Sequence, residues 1–97
     1  MAANGDVTLT GNDWTQIADG GLTAASWQNK GGQDVYIAAT AADTAPTGEP
    51  GGWPVYGPRQ GEVGIDATAM FAGVSGAAYL WAYVRGTSGG TLWRSHG

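Results

Sequence analysis

The side chains that could take part in acid–base chemistry are eight carboxylates and one histidine. His96 lies one residue from the C-terminus, where we expect a solvated side chain that nothing holds beside a nucleophile. Glu62 and Asp66 flank a short predicted strand and form no recognisable acid–base pair. Five other carboxylates occupy predicted strand ends or turns, where Asp commonly accepts hydrogen bonds from backbone N–H groups: Asp6, Asp13, Asp19, Asp34 and Asp43. We therefore do not expect an enzyme.

No cofactor or metal site is predicted, and nucleic acid is not an expected partner. Cysteine is absent, and no carboxylate or histidine cluster has the spacing of a zinc or calcium site. The paired glycines lack the Lys-Ser/Thr of a phosphate loop. The net charge is −4, and the four cations Lys30, Arg59, Arg85 and Arg94 are dispersed, whereas nucleic-acid binding needs clustered cations.

Aromatic side chains are the most prominent chemical feature, with five Trp, four Tyr and one Phe in 97 residues. In the clearest predicted strand, 77–85, side chains alternate between two faces. One face carries Leu80, Ala82 and Val84, and the other carries Tyr79, Trp81, Tyr83 and Arg85. Three interpretations of the second face stay open: loops of the chain cover it, another subunit contacts it, or it stacks a sugar ring.

Residues 41–62 are predicted to form a long loop rich in Gly and Pro, with at most a short edge strand at 53–58. Trp53 and Tyr56 in this segment are candidate ligand or loop contacts. Residues 1–6 are expected to be a flexible N-terminal arm.

The elements that must position these side chains are short strands separated by glycine-rich turns. Two hairpins are predicted: 22–28 with 33–40 across the Asn29–Gly32 turn, and 77–85 with 91–95 across 87–90. Helical periodicity is lacking, and no segment predicts a signal peptide or a membrane helix. The prediction is a single all-β domain over 1–97: a small antiparallel β-sandwich or barrel of about seven or eight short strands, with little helix.

The run Tyr79-Leu80-Trp81-Ala82, followed by the Ser/Gly turn 87–90 and a closing strand, resembles small phage virion proteins with a β-sandwich fold. Tyr36-Ile37-Ala38 and Thr44-Ala45-Pro46-Thr47 are similar to an earlier strand and loop of that group. The resemblance covers roughly residues 26–95. Trp93-Arg94 departs from the smaller residues expected on the last strand.

The resemblance implies a capsid decoration, head-fibre or tail component with no catalytic residues. It also implies a homo-oligomer, for which the trimer is the common form, in contact with other virion proteins of the capsid. We therefore expect a capsid decoration or stabilisation protein, made in the host cytoplasm and located in the virion, with Tyr79, Trp81, Tyr83 and Arg85 at the interface. The alternative is a carbohydrate- or receptor-binding module of a tail or fibre.

Overall fold

β-Branched and aromatic residues between glycine-rich turns favour extended strands, and the computed structural model shows eight of them. It describes residues 3–48 and 50–97. The strands are β1 Ala3–Leu9, β2 Asp13–Ala18, β3 Ala25–Asn29, β4 Val35–Thr40, β5 Val55–Tyr56, β6 Gly61–Ile65, β7 Tyr79–Val84 and β8 Gly90–His96. A 3₁₀ turn at Leu22–Ala24 and a one-turn helix, α1 Ala67–Met70, complete the elements. The predicted small all-β sandwich with little helix is confirmed.

The strands form two four-stranded antiparallel sheets, which we name sheet A (β1-β8-β3-β6) and sheet B (β2-β7-β4-β5). This pair of strand orders is that of a jelly roll. Both predicted hairpins are wrong, because β3 and β4 lie in different sheets, and so do β7 and β8. Glycine turns supply the positive φ angles for a reversal, but the same turns serve a chain that crosses between sheets.

The core lies between the two sheets and is built from alternate residues of the central strands. Leu80, Ala82 and Val84 of β7 face inward as predicted, each at most 1% exposed. Across the interior, Trp27 of β3 and Leu92 of β8 are equally buried. Such rings and branched aliphatic chains contribute the main hydrophobic stabilisation of the sandwich.

Asn29 ends β3 and is completely buried. Its side-chain Nδ2 donates to the carbonyl oxygens of Gln33 at 2.6 Å and Tyr56 at 3.0 Å, and its Oδ1 accepts from the N–H of Gly31 at 3.0 Å. Its backbone also pairs with Gln60 and Arg59. A residue expected to act only in a turn therefore joins the 30–34 turn to β5 and the 57–60 turn.

The two chain ends pair with each other, unlike the flexible arm and solvated tail expected from the sequence. From Ala3 onward the N-terminal segment is strand β1, whose Ala3 is opposite His96 of β8; Met1 and Ala2 lie outside the described residues. His96 is consequently only 7% exposed. Its backbone register in an inner strand, which local sequence does not reveal, accounts for this burial.

The predicted 41–62 loop is interrupted by β5 and ends at β6, which begins at Gly61. What remains are the connections 41–54, in which Glu49 is outside the described residues, and 57–60.

Arg94 joins the two sheets at their edge strands β1 and β2. The sequence did not predict this environment. Its Nε donates to the Ile17 carbonyl and its Nη1 to the Gly5 carbonyl, both at 3.0 Å. This half-buried guanidinium satisfies one backbone acceptor from each sheet, so it stabilises the side of the sandwich at these two strands.

Candidate functional site

The outer face of sheet B carries a continuous row of apolar side chains across all four strands. Trp14 of β2 is opposite Tyr83 of β7, Tyr83 is opposite Tyr36 of β4, and Tyr36 is opposite Val55 of β5. Side chains at directly paired positions of adjacent strands lie next to each other on one face. We call these four residues the aromatic row.

The rings of the aromatic row are held in place by each other and by Arg85. The centroids of the Trp14 and Tyr83 rings are 5.1 Å apart, with the planes inclined at 57°. The guanidinium carbon of Arg85 lies 5.4 Å from the centroid of the Tyr36 ring, and its Nε donates to the Tyr36 hydroxyl at 3.4 Å. This is cation–π geometry, which favours this arrangement of the two side chains in the free chain.

Exposure along the aromatic row increases from its middle outward. Tyr83 is buried, Trp14 and Tyr36 are half-buried, and Val55 at the free edge of sheet B is 49% exposed. Arg85 is exposed. The row therefore presents ring surface and an aliphatic group to solvent, with a cation above one ring.

The connection 41–54, which follows β4, is hydrogen-bonded to β2 at the opposite edge of this face. Trp81 Nε1 donates to Thr40 Oγ1 at 2.8 Å, Gln16 Nε2 donates to Asp43 Oδ1 at 2.5 Å, and Trp14 Nε1 donates to the Gly48 carbonyl at 3.4 Å. Trp81 is only 8% exposed. The Trp81 ring is therefore covered by the chain itself, which is the first of the three interpretations of this face.

The four residues predicted at an interface thus have different environments. Trp81 and Tyr83 are buried within the chain itself, Tyr79 is half-buried and Arg85 is exposed. Contact of this set with another subunit stays a prediction, and it is strongest for the surface around Arg85. The sequence did not identify Trp14, Tyr36 and Val55 as interface candidates. Side-chain alternation predicts which residues share a face within β2 and within β4, but it does not predict the strand register that aligns these residues across the sheet.

Trp53 and Tyr56, the candidate ligand or loop contacts, do not join the aromatic row. Trp53 is half-buried against Phe71, with ring centroids 5.8 Å apart. Tyr56 is 9% exposed, makes an edge contact with Trp27 at 5.8 Å, and donates its hydroxyl to Glu62 at 3.0 Å. Burial and the neighbouring carboxylate raise the pKa of Tyr56 well above its ordinary value. Tyr56 is therefore a core residue.

Asp66, one of the carboxylates considered for acid–base chemistry, takes part in local structure. Asp66 caps α1: it accepts hydrogen bonds from the Thr68 hydroxyl and from the N–H groups of Thr68 and Ala69, and these bonds lower its pKa. Within residues 3–48 and 50–97, no three His, Asp or Glu side chains are grouped as metal ligands would be. Over the same residues, no helix has the length and apolar character needed to span a membrane.

Comparison of the chain with protein-family models, with curated proteins and with solved structures found no match. The aromatic row and the jelly-roll fold are the features of the chain that bear on its function.

Proposed function

We propose that this chain is a structural protein of a phage particle that acts by protein–protein assembly, most specifically as a capsid decoration or stabilisation protein. The aromatic row with Arg85 is the single observation that carries the proposal. Other virion proteins are its partners, and self-association into a homo-oligomer is part of the same proposal.

The chemistry of the aromatic row suits a protein partner. The centres of protein–protein interfaces are rich in Trp, Tyr and Arg, and poor in Lys, Asp and Glu. The aromatic row together with Arg85 has this composition, and the row spans the full width of sheet B from half-buried Trp14 to exposed Val55. Because Arg85 and the ring neighbours already hold the side chains, association would cost little side-chain entropy.

The fold and the strand patterns support the same class of protein. Jelly rolls occur in viral capsid proteins and also in lectins, so the topology by itself is only an analogy. The resemblance of the 79–93 region to small phage virion proteins favours the first of these. A small domain without disulfides also gains stability when its folded form binds other subunits.

Two exposed valines on the outermost strands of the two sheets allow a matched test. Val55 belongs to the aromatic row, whereas Val63 is 86% exposed on β6 of sheet A. Val55→Asp places a charge at the proposed interface, and Val63→Asp places the same charge on the other sheet. Light scattering after size exclusion would report self-association, and co-sedimentation with purified capsids of the encoding phage would report decoration.

We expect the parent chain to self-associate and to sediment with capsids, Val55→Asp to lose both properties, and Val63→Asp to keep them. A parent chain that stays monomeric at high concentration and ignores capsids would overturn the proposal. Equal behaviour of the two variants would show that the aromatic row is not the interface.

A carbohydrate- or receptor-binding module of a tail or fibre is the second candidate. One observation favours it: a half-buried Trp93 lies in an open groove on the opposite sheet, away from the residues first expected to bind sugar.

A further inference from the structure

The outer face of sheet A carries a second row of side chains with a different character. Asp6 of β1 is opposite Trp93 of β8, Trp93 is opposite Gln28 of β3, and Gln28 is opposite Gly61 of β6. These four positions cross the whole sheet with one aromatic ring among polar and small residues. The aromatic row of sheet B has three rings at the equivalent positions.

A groove of about 290 Å³ lies at Trp93. Its lining consists of Trp27, Gln28, Arg59, Gly61, Val63 and Trp93. A second hollow of about 270 Å³ shares Gln28 and Arg59 and extends to Lys30. Gly61 has no side chain to fill this space, and its backbone lies so close to β3 that an added Cβ would overlap the Trp27 carbonyl oxygen. A residue larger than glycine is therefore excluded at position 61, which lines the groove.

Arg59, which lines both hollows, has an unusual backbone conformation. Its φ of +69° is in the left-handed region, which non-glycine residues rarely adopt. Its N–H donates to the Asn29 carbonyl at 2.7 Å, and its own carbonyl accepts from Gln28 Nε2 at 3.2 Å. Glycine would suit this backbone better, so the presence of arginine points to a use for its side chain.

The charges around the groove favour an anionic ligand. The chain has a net charge of −4 and four cationic residues, two of which, Lys30 and Arg59, lie here. Lys30 pairs with Asp6 at 3.0 Å. Among the described residues, none accepts a hydrogen bond from the exposed Arg59 guanidinium, so this planar donor can take a carboxylate.

We propose that this groove binds a saccharide that carries a carboxylate, such as an oligomer of uronic acid. The polarised C–H groups on the face of a pyranose ring stack against the negative face of Trp93. Gln28 Oε1 accepts hydrogen bonds from sugar hydroxyls, since its Nε2 already donates to the Arg59 carbonyl, and Arg59 pairs with the carboxylate. A flat protein surface is a poorer match here, because the groove has a single accessible ring with amide and charged neighbours. This inference goes beyond the assembly function and uses the opposite sheet.

Isothermal titration of the purified chain with hexagalacturonate, and with its methyl ester as the uncharged counterpart, tests the proposal. We expect Trp93→Thr to weaken binding of both ligands at least ~10-fold. Arg59→Gly should weaken binding of the acid about 10-fold and that of the ester much less, because only the charged hydrogen bonds are lost. The same variant should be at least as stable as the parent chain to heat, because glycine relieves the strained backbone.

Val55→Asp is the control on sheet B and should bind the hexamer like the parent chain. If assembly fails while saccharide binding stays intact, only the proposed function is wrong. If assembly occurs without saccharide binding, only this proposal is wrong. No binding of hexagalacturonate, hexamannuronate or sialyllactose at millimolar concentration would overturn the proposal. Equal affinity of the acid and the ester, or full binding by Trp93→Thr, would also overturn it.

Discussion

Replacing Asn29 by alanine tests whether one buried side chain holds together the turns at this end of the sandwich. The substitution removes a donor from the carbonyls of Gln33 and Tyr56 and an acceptor from the N–H of Gly31. The Tyr56 bond is buried, and the other two are partly buried. Water can therefore replace part of the lost hydrogen bonding at the Gln33 carbonyl and the Gly31 N–H, which we call the two outer groups. It can replace the least at the buried Tyr56 carbonyl.

The magnitude follows from these three groups. A buried polar group left without a partner costs about 1–3 kcal/mol. Taking about 2 kcal/mol for the carbonyl of Tyr56 and about 1 kcal/mol for each of the two outer groups, we expect Asn29→Ala to reduce the free energy of unfolding by about 4 kcal/mol. Domains of this kind have about 5–15 kcal/mol in total. The melting temperature should fall by about 15–30 °C.

Urea unfolding followed by tryptophan fluorescence measures this loss, with Asn4→Ala on the exposed side of β1 as the control. Asn29→Asp adds a sharper comparison. It keeps an acceptor for Gly31 but places a carboxylate against two carbonyl oxygens, so its stability should improve as the pH falls and the acid becomes neutral. A loss below about 1 kcal/mol for Asn29→Ala would refute the reasoning, because unsatisfied buried groups cost at least that much.

Three other substitutions test the remaining structural claims. Gly61→Ala should displace β6 or unfold the chain, because its Cβ would overlap the Trp27 carbonyl oxygen. Gly73→Ala is the control and should melt like the parent chain, because there is open space around Gly73. Equal melting temperatures of the two variants would contradict this prediction. Arg94→Met should lower the free energy of unfolding by about 2–4 kcal/mol in urea titrations, since two charged hydrogen bonds are lost, one to Gly5 within sheet A and one to Ile17 of sheet B. The lowered pKa of Asp66 means that its stabilisation is complete above the ordinary carboxyl pKa and is lost as the pH falls through the lowered value. Asp66→Ala should therefore melt earlier at neutral pH and converge with the parent in strong acid; a constant difference down to pH 2 would exclude the capping role.

Local sequence determined the strands and the faces of each strand. Side chains in extended backbone alternate with a period of two, so inward Leu80, Ala82 and Val84 could be separated from Tyr79, Trp81 and Tyr83 without any knowledge of neighbours. Glycine and proline marked where strands end, because they supply or restrict particular backbone angles. The all-β class and the number of strands followed from these two rules.

Which strands pair was decided only by the tertiary structure. Apart from β4 with β5, each pair of neighbouring strands among those described joins segments that are not consecutive in the chain. A glycine-rich turn is compatible with reversal inside a sheet and with crossing to the other sheet, so the two hairpin predictions failed. The alignment of Trp14, Tyr83, Tyr36 and Val55, and the burial of His96 and Trp81, depend on that long-range pairing. Burial and register arise from contacts between distant segments, and no local pattern records them.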